Sequence, residues 1–303
     1  MSGFKTSGVF GLVLLISIGA QADGILVLKS QNSEPYTQAL NGFREACGGQ
    51  PTEIDLAGSK SRKDYFVKHI SANKPRLIVA LGPLAAKMAQ EEAKDIPVIF
   101  LMVSNPVRRG LKGDNIAGVS LDIPVSVQFT NYKVLLPKLR TIGVIYDPTK
   151  TATIIEEAQV AAKNLELELA AIAVDSPREV PRALTGLLNK GIDALWMVPD
   201  ETVVTPESFK FLLGETSKRL LPFLAASDIF VEVGALAALT PDYKDAGRQG
   251  YDLVKAIDRG EQNLADLGTR PPAKVNLVLN MKTASKIGLR VPEELVESAS
   301  KVY

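Results

Sequence analysis

The feature that most constrains the fold is a repeated alternation of short apolar runs with amphipathic helix patterns. Residues 97–103 (PVIFLMV) have the length and branching of a strand that is buried on both faces, and the polar stretch Ser104-Asn105-Pro106 follows them. Similar runs at residues 24–29, 52–56, 76–81 and 116–121 are separated by helix patterns. Strands that alternate with helices in this way predict an open, mostly parallel α/β sheet.

The same alternation begins again after residues 121–124, which we interpret as a first hinge strand. Apolar runs at residues 141–146, 167–174, 194–198, 222–226 and 275–279 predict a second set of strands, and residues 292–303 predict a surface helix. No linker is long enough to separate independent modules. The sequence therefore predicts an α/β protein with two doubly wound parallel-sheet lobes that share crossing segments.

The first 22 residues differ in character from the rest of the chain. Lys5 supplies a positive charge, residues 9–18 form an apolar core, and Ala20-Gln21-Ala22 offers a cleavage site of small residues. This pattern predicts a signal peptide over residues 1–22, cleaved near Ala22. A membrane anchor is the alternative, but the apolar core is shorter than the roughly 20 residues a span needs. Because no Cys follows that core, we expect the mature protein to be free in the periplasm.

Charge and cysteine content exclude several classes of partner. The chain has 35 basic and 34 acidic residues, and removing Lys5 leaves 34 of each, so no general attraction to nucleic acid or anionic lipid is expected. The single cysteine, Cys47, cannot form an internal disulfide and is predicted to be a small buried hydrophobe. Arg108-Arg109 with Lys112 forms a basic patch, which we interpret as a solvated loop in preference to a phosphate site.

Catalysis has little support in the sequence. The single histidine, His69, lies in the middle of a predicted helix, and the chain has no GxGxxG, GxxxxGK or GxSxG motif and no Cys/His pair for zinc. Asp200 and Asp228 could form a carboxylate pair, but nothing supplies a nucleophile or a metal. We therefore predict no enzyme activity, no metal site and no cofactor.

Ligands of open α/β sheets bind beyond the carboxyl ends of the strands, so the residues there are the candidates for a binding site. Small polar groups recur at nearly every strand end, although such residues also cap helices in any βα protein. For the set as a whole we predict a binding cleft. Its candidate residues are Ser30, Gln31, Gly82, Pro83, Ser104, Asn105, Ser120, Tyr146, Asp147, Asp200, Ser227 and Asp228.

Several segments resemble the bacterial ABC-transporter substrate-binding family, in the branch that includes tryptophan- and tyrosine-binding lipoproteins. They are DIPVIFLMVSNPVRRGL (95–111), NIAGVSLDIPV (115–125), IGVIYDPT (142–149), DALWMVPDETVV (193–204), PFLAASDIFVEVGALAALTPDYKDAGRQGYDLVKAI (222–257) and VNLVLNMKTASKIGL (275–289). The resemblance covers nearly all of the predicted mature chain. It differs from the common pattern of the family at Pro83 and at Ala152-Thr153.

The resemblance implies a type I periplasmic binding protein fold, in which two lobes joined by three crossings close on a small molecule. The crossings would fall near residues 121–124, 240–242 and 269–273. Lobe 1 would comprise residues 23–122 and 243–271, and lobe 2 residues 123–242 and 272–303. The family pattern also matches at Asp200, Ser227 and Asp228, and it adds Asp242 to the candidate ligand-binding residues.

The implied function is capture of a small organic ligand, such as an amino acid or an aromatic compound, by a monomer that delivers it to an ABC permease in the inner membrane. A ligand-sensing subunit that presents the closed lobes to a membrane receptor is one alternative, and a hydrolase on a similar scaffold is a less favoured one. Asp200 and Asp228 are expected to contact an amine or hydroxyl of the ligand. Asp228→Asn should then weaken binding roughly 10- to 150-fold, unless Asp228 only caps a turn.

Overall fold

The computed structural model describes residues 24–260 and 264–303, so the predicted signal peptide at residues 1–22 lies outside the described residues. The strands in chain order are β1 (Ile25–Lys29), β2 (Thr52–Asp55), β3 (Leu77–Leu81), β4 (Val98–Val103), β5 (Ile116–Ser120), β6 (Thr141–Tyr146), β7 (Glu168–Ala173), β8 (Ala194–Trp196), β9 (Phe223–Ala225), β10 (Ala237–Pro241), β11 (Thr269–Arg270), β12 (Val275–Leu279) and β13 (Lys301–Val302). The α-helices are α1 (Glu34–Cys47), α2 (Lys63–Asn73), α3 (Pro83–Glu92), α4 (Val125–Leu135), α5 (Pro148–Asn164), α6 (Val180–Asn189), α7 (Pro206–Lys218), α8 (Asp228–Glu232), α9 (Tyr243–Asp258), α10 (Leu264–Leu267), α11 (Met281–Lys286) and α12 (Glu293–Ser298).

The first sheet is parallel throughout and has the strand order β11-β5-β4-β3-β1-β2. Strands β3 and β4 are buried along their whole length, as a strand covered on both faces should be. Alternate residues of β1 serve the two faces: Ile25 and Val27 pack with α1 and α9, whereas Leu26 and Leu28 pack with α2 and α3. The sheet is therefore the middle layer of a helix–sheet–helix lobe.

Helices α1 and α9 lie unusually close together against this sheet. A Cβ atom at Gly42 would collide with the carbonyl oxygen of Lys244, and one at Gly247 would collide with the carbonyl oxygen of Ala39. Glycine at these two positions allows the backbones to approach. This contact fixes α9, which enters from the other lobe, onto the first lobe.

The second sheet has the strand order β13-β12-β10-β9-β8-β6-β7, and among its described pairs only β10 with β12 is antiparallel. One face packs against α4, α5, α11 and α12 around Trp196 and Phe129, and the other packs against α6, α7 and α8 around Phe223. The expected α/β architecture of two doubly wound lobes is confirmed.

The chain passes three times between the two sheets. The first passage joins β5 to α4 through residues 121–124, the second joins β10 to α9 at Asp242, and the third joins β11 to β12 through residues 271–274. The Asp242 N–H donates to the carbonyl oxygen of Lys274 at 3.0 Å, so the second and third crossings are hydrogen-bonded to each other. The exact division of the chain into lobes stays a prediction.

Three local expectations differ from the structure. Residues 121–124 leave the sheet as an unpaired segment and do not form a hinge strand. Within residues 292–303 the helix is confined to α12, and the chain then returns as β13 beside β12, where it extends the second sheet. Thr269–Arg270 pairs with β5 in the first sheet, so the third crossing starts two residues later than predicted. Each of these three differences depends on which strand, if any, the backbone pairs with. A local sequence pattern carries no information about that partner.

Candidate functional site: a cleft between the lobes

A cavity of about 310 Å³ lies between the two sheets, at the carboxyl ends of their strands. The crossing segments form one side of it, and residues from both lobes form the walls. The lining residues are Ser104, Asn105, Leu121, Asp122, Ile123, Val125, Gln128, Thr153, Ile154, Glu157, Trp196, Met197, Pro199, Ala225, Ala226, Ser227, Leu239, Thr240, Pro241 and Tyr243. Its position agrees with the rule that ligands of open α/β sheets bind beyond the carboxyl strand ends.

An irregularity in β4 shapes the first-lobe wall. The register between β4 and β5 shifts between Phe100 and Val103, and Met102 has a left-handed φ of 62°. Bulges of this kind bend a strand and redirect the residues that follow it. Asn105, also left-handed at φ 51°, directs its backbone N–H at the carboxylate of Asp122, with N to Oδ2 at 2.9 Å and N to Oδ1 at 3.1 Å. The loop after β4 is thereby tied to the first crossing.

Asp122 is an acidic residue of the first crossing that lines the cavity. Burial raises the pKa of its carboxyl, the Asn105 N–H lowers that pKa, the negative charge of Glu157 raises it, and Arg109 lowers it. Glu157 comes from α5, on the other lobe. Two carboxylates that line the same cavity therefore act on one another, one from the first crossing and one from the second lobe.

An indole ring is held in the second-lobe wall. The Trp196 Nε1–H donates to Oε1 of Gln128 at 3.1 Å, and Nε2 of Gln128 donates to the carbonyl oxygen of Ile123 at 2.9 Å. Phe129 meets the indole edge to face, with the ring centroids 4.9 Å apart. These contacts connect the aromatic wall to the first crossing.

Tyr243 lines the cavity, and the negative charge of Asp228 acts on its hydroxyl. Burial raises the pKa of the Tyr243 hydroxyl, and the negative charge of Asp228 adds to this effect. Asp228 itself is half exposed and lies 3.9 Å from the ammonium of Lys301. It does not line the cavity, and its predicted contact with a ligand stays a prediction.

Three of the predicted site residues line the cavity: Ser104, Asn105 and Ser227. Ser227 is the N-cap residue of α8, but its side chain makes no capping hydrogen bond. Its hydroxyl is therefore not engaged at the helix end.

Ser30, Gly82 and Pro83 form a separate group at the start of α3. The Ser30 Oγ accepts from the Ala85 N–H at 2.9 Å, and the hydroxyl of Tyr36 hydrogen-bonds the Ser30 side chain. A Cβ atom at Gly82 would collide with the Tyr36 hydroxyl. The side chains of Ser30 and Tyr36 therefore occupy the space at the N-terminus of α3.

The other predicted residues are also outside the cavity lining. Ser120 Oγ accepts from the Asp122 N–H at 3.2 Å, Gln31 is exposed, and Tyr146 packs against the core of the second lobe. Asp242 is the N-cap of α9, and its Oδ1 accepts from the Asp245 N–H at 2.9 Å. Their roles as ligand contacts stay predictions.

Asp200 has a structural role that contradicts the expected ligand contact. Its carboxylate is 1% exposed, and its Oδ2 accepts from the Asp147 N–H at 2.7 Å and from the Thr151 hydroxyl at 2.6 Å. Its Oδ1 accepts from the N–H groups of Thr202 at 3.0 Å and Val203 at 3.2 Å. Since the carboxylate is buried and satisfied by four donors, it holds two loops together and does not face the cleft.

Asp147 completes the same assembly. Its Oδ2 accepts from the Thr202 hydroxyl at 2.6 Å, and its Oδ1 accepts from the N–H and hydroxyl of Thr149, both at 2.8 Å. The Thr202 and Thr149 hydroxyls hold the pKa of its carboxyl below the ordinary range. We call Asp147, Thr151, Asp200 and Thr202 the aspartate–threonine lock.

The basic loop after β4 faces a smaller depression of about 210 Å³ lined by Asn105, Arg108, Arg109, Lys150, Pro199 and Glu201. Lys112 is elsewhere, with its carbonyl oxygen accepting from Gln90. Because Asn105 and Pro199 also line the main cavity, the depression adjoins it. Arg108 and Lys150 extend the cleft toward solvent with positive charge.

Sequence reasoning missed Asp122, Gln128, Glu157, Trp196 and Tyr243. Asp122 lies within one predicted crossing and Tyr243 directly follows another, and that position was the signal that could have found them. Glu157 lies inside a predicted helix, where nothing in the sequence marks it as a site residue.

Within residues 24–260 and 264–303 no group of three or more His, Cys, Asp and Glu side chains is arranged to hold a metal ion. Over the same residues no helix has the length and apolar character needed to cross a bilayer.

Comparison with known proteins identifies the family. The sequence profile described as ABC transporter substrate binding protein matches residues 52–303. A protein named "Tyrosine-binding protein" from Clostridioides difficile (strain R20291) is 26% identical over 249 residues, which are 80% of this chain and 70% of that protein.

Solved structures of substrate-binding proteins share the fold of this chain. An ABC domain in complex with L-Trp from Streptococcus pneumonia is 25% identical, with a TM-score of 0.57 over 92% of this chain and 100% of that chain. The ligand-free, open structure of a substrate-binding protein with adhesive properties from Clostridium difficile is 21% identical, with a TM-score of 0.76 over 92% and 98% of the two chains. The fold is that of the type I periplasmic binding proteins, and the chain belongs to the ABC transporter substrate-binding protein family.

Proposed function

We propose that this protein captures an amino acid with a large, aromatic side chain between its two lobes and delivers it to an ABC permease. The observation that carries the proposal is the cavity of about 310 Å³ whose walls come from both lobes and from the crossings. That volume is at the lower end of the range for small-molecule sites. A single amino acid is therefore a suitable occupant.

The character of the walls supports this ligand class. Trp196, Met197, Ile154 and Leu239 offer apolar and aromatic surface, while Asp122, Ser227 and the Tyr243 hydroxyl supply polar groups. Apolar walls with a few placed polar groups are typical of small-molecule sites. The relatives named for tyrosine and crystallised with L-Trp add weight to an aromatic amino acid.

The proposal extends to compartment and partner. Substrate-binding proteins of this family are typically extracytoplasmic, which accords with the predicted signal peptide and a periplasmic location. We propose that the protein acts as a monomer without catalysis, and that its closed form is what the permease recognises. The predicted lobe boundaries at residues 122/123, 242/243 and 271/272 belong to the same proposal.

A ligand screen tests the proposal directly. Thermal unfolding of the purified protein should be followed with each of the common amino acids, nucleosides and small aromatic acids, and each positive result should be titrated by calorimetry. A ligand that binds only the folded state at about 100 times its Kd adds about 2.7 kcal/mol to the free energy of unfolding. We expect tyrosine, tryptophan or phenylalanine to raise Tm most. A screen in which amino acids leave Tm unchanged contradicts the proposal.

A further inference from the structure

We propose that the cleft selects a ligand with a positively charged nitrogen, which Asp122 binds from the first crossing and Glu157 binds from α5. This inference rests on the proposed function and deepens it by naming the charged group that the site requires. It also assigns specificity to two residues that were not predicted from the sequence.

The first carboxylate is held in place by the first crossing. Asp122 accepts the Asn105 N–H on both oxygens, and its own N–H donates to the Ser120 hydroxyl at 3.2 Å. Three hydrogen bonds therefore limit its movement. The remaining lone pairs of the carboxylate stay available to a donor in the cavity, since each oxygen can accept more than one hydrogen bond.

The second carboxylate is unpaired. Glu157 lies on α5 and lines the same cavity, and within the described part of the chain its side chain makes no hydrogen bond or ion pair. An acidic side chain that lines a ligand cavity without a partner is free to contact a donor group of the ligand. Its neighbour Glu156 is exposed and does not line the cavity, so α5 offers a matched control at the adjacent position.

The local field also favours a cation. The charge of Glu157 raises the pKa of the Asp122 carboxyl, and Arg109 opposes this with a smaller effect. Both carboxylates line the same cavity, and a cation between them would be attracted by both. Closure of the lobes would bring like charges together unless a cation lies between them.

Positive charge lies beside this pair of carboxylates, in the depression that shares Asn105 with the cavity. Arg108, Arg109 and Lys150 line the adjoining depression, where Glu201 is the acidic lining residue. None of these three cations makes an ion pair within the described residues. An amino-acid zwitterion, whose ammonium and carboxylate are only a few bonds apart, fits this arrangement with its ammonium at the two carboxylates and its carboxylate toward the adjoining basic residues. Because Asp122 lies in the first crossing and Glu157 on α5 of the second lobe, an ammonium bound to both would favour the lobe arrangement in which both can reach it.

Calorimetric titration with matched analogues tests the charge requirement. The wild-type protein should be titrated with L-tyrosine and L-tryptophan, with tyramine and tryptamine, which keep the amine, and with 3-(4-hydroxyphenyl)propionate and indole-3-propionate, which lack it. The loss of charge-assisted hydrogen bonds predicts that the acids without the nitrogen bind roughly 10- to 150-fold more weakly than the amino acids. The amines should lose less affinity than these acids.

Variants assign the effect to the two carboxylates. Glu157→Gln and Asp122→Asn should each weaken binding of the amino acid roughly 10- to 150-fold, while Glu156→Gln should leave it unchanged. Glu157→Gln and Asp122→Asn should bind the deaminated acids with the same affinity as the wild-type protein does. Glu157 is exposed, so Glu157→Gln should leave Tm of the free protein unchanged, which separates the effect from misfolding.

The outcomes distinguish this inference from the function on which it rests. Equal affinity for an amino acid and its deaminated acid, or wild-type affinity in Glu157→Gln, overturns the charge requirement while leaving the amino-acid-binding function intact. Absence of binding by all six compounds and by every amino acid contradicts the proposed function, and the inference with it.

Discussion

At the scale of single residues, three aspartates that follow strands of the second lobe have three different environments. Asp147 and Asp200 are buried and bonded to protein donors, whereas Asp228 is half exposed at the first position of α8. All three follow apolar runs in the sequence, and all three were candidates for the same role. The carboxylates of Asp147 and Asp200 accept several hydrogen bonds from the protein and have a structural role. The carboxylate of Asp228 has few protein donors around it and can still bind a ligand.

Asp228→Asn tests the remaining aspartate. If Asp228 binds an amine or hydroxyl of the ligand, the substitution should weaken binding roughly 10- to 150-fold, because a charge-assisted hydrogen bond becomes a neutral one. The ion pair with Lys301 is long and exposed, and asparagine is tolerated at helix starts, so Tm should change little. Calorimetric titration with the identified ligand gives the answer. Wild-type affinity would restrict Asp228 to the rim of the cleft.

At the scale of elements, the aspartate–threonine lock connects the start of α5 to the loop after β8. Thr151, which is 1% exposed, donates from α5 to Asp200 at 2.6 Å, and Thr202 donates from the β8 loop to Asp147 at 2.6 Å. Thr151 also has non-helical dihedral angles, φ −132° and ψ 16°, inside the segment assigned as α5. The lock therefore holds a kinked helix start in a fixed position, and α5 carries Thr153, Ile154 and Glu157 into the cleft.

Thr151→Val should destabilise the protein by about 1.5–3 kcal/mol, because it removes a hydroxyl donor from a buried carboxylate without changing side-chain volume much. Chemical denaturation measures the change in the free energy of unfolding. Thr153→Val, two residues further on an exposed position of the same helix, is the matched control and should leave that free energy within about 0.5 kcal/mol of wild type. Equal stability of the two variants would show that the lock carries no net free energy.

At the scale of the whole molecule, the arrangement of the crossings favours a hinge. All three passages are short, and the second and third are joined by the hydrogen bond from the Asp242 N–H to the Lys274 carbonyl oxygen. The first passage is tied to the cleft through Asp122 and, by way of Gln128, to Trp196. A ligand that contacts both walls therefore acts on the segments that must rotate when the lobes close.

Small-angle X-ray scattering should show a smaller radius of gyration when the protein is saturated with its ligand. The reason is that a ligand shifts the population toward the form in which it contacts both lobes. The internal control is the Glu157→Gln variant at a ligand concentration far below the Kd of that variant. Under this condition it should have the radius of gyration of the free protein. An unchanged radius at saturation would mean that binding occurs without hinge closure.

The sequence by itself determined the α/β class, the alternation of strands and helices along the chain, and the presence of two parallel-dominated sheets. Strand and helix periodicity is a local property, and runs such as those of β3 and β4 are apolar throughout because both faces of a central parallel strand are covered. It also placed Ser104, Asn105 and Ser227 at the cavity, because carboxyl strand ends meet at one edge of a parallel sheet.

Only the tertiary structure decided which side chains face the cleft. Glu157 and Gln128 reach it because of how α4 and α5 are rotated against the second sheet, and Asp200 is withdrawn from it because Thr151 and the loop after β8 close over its carboxylate. The short strands β11 and β13 exist because β5 and β12 offer unpaired edges to them. These outcomes depend on contacts between residues far apart in the chain, which no local pattern specifies.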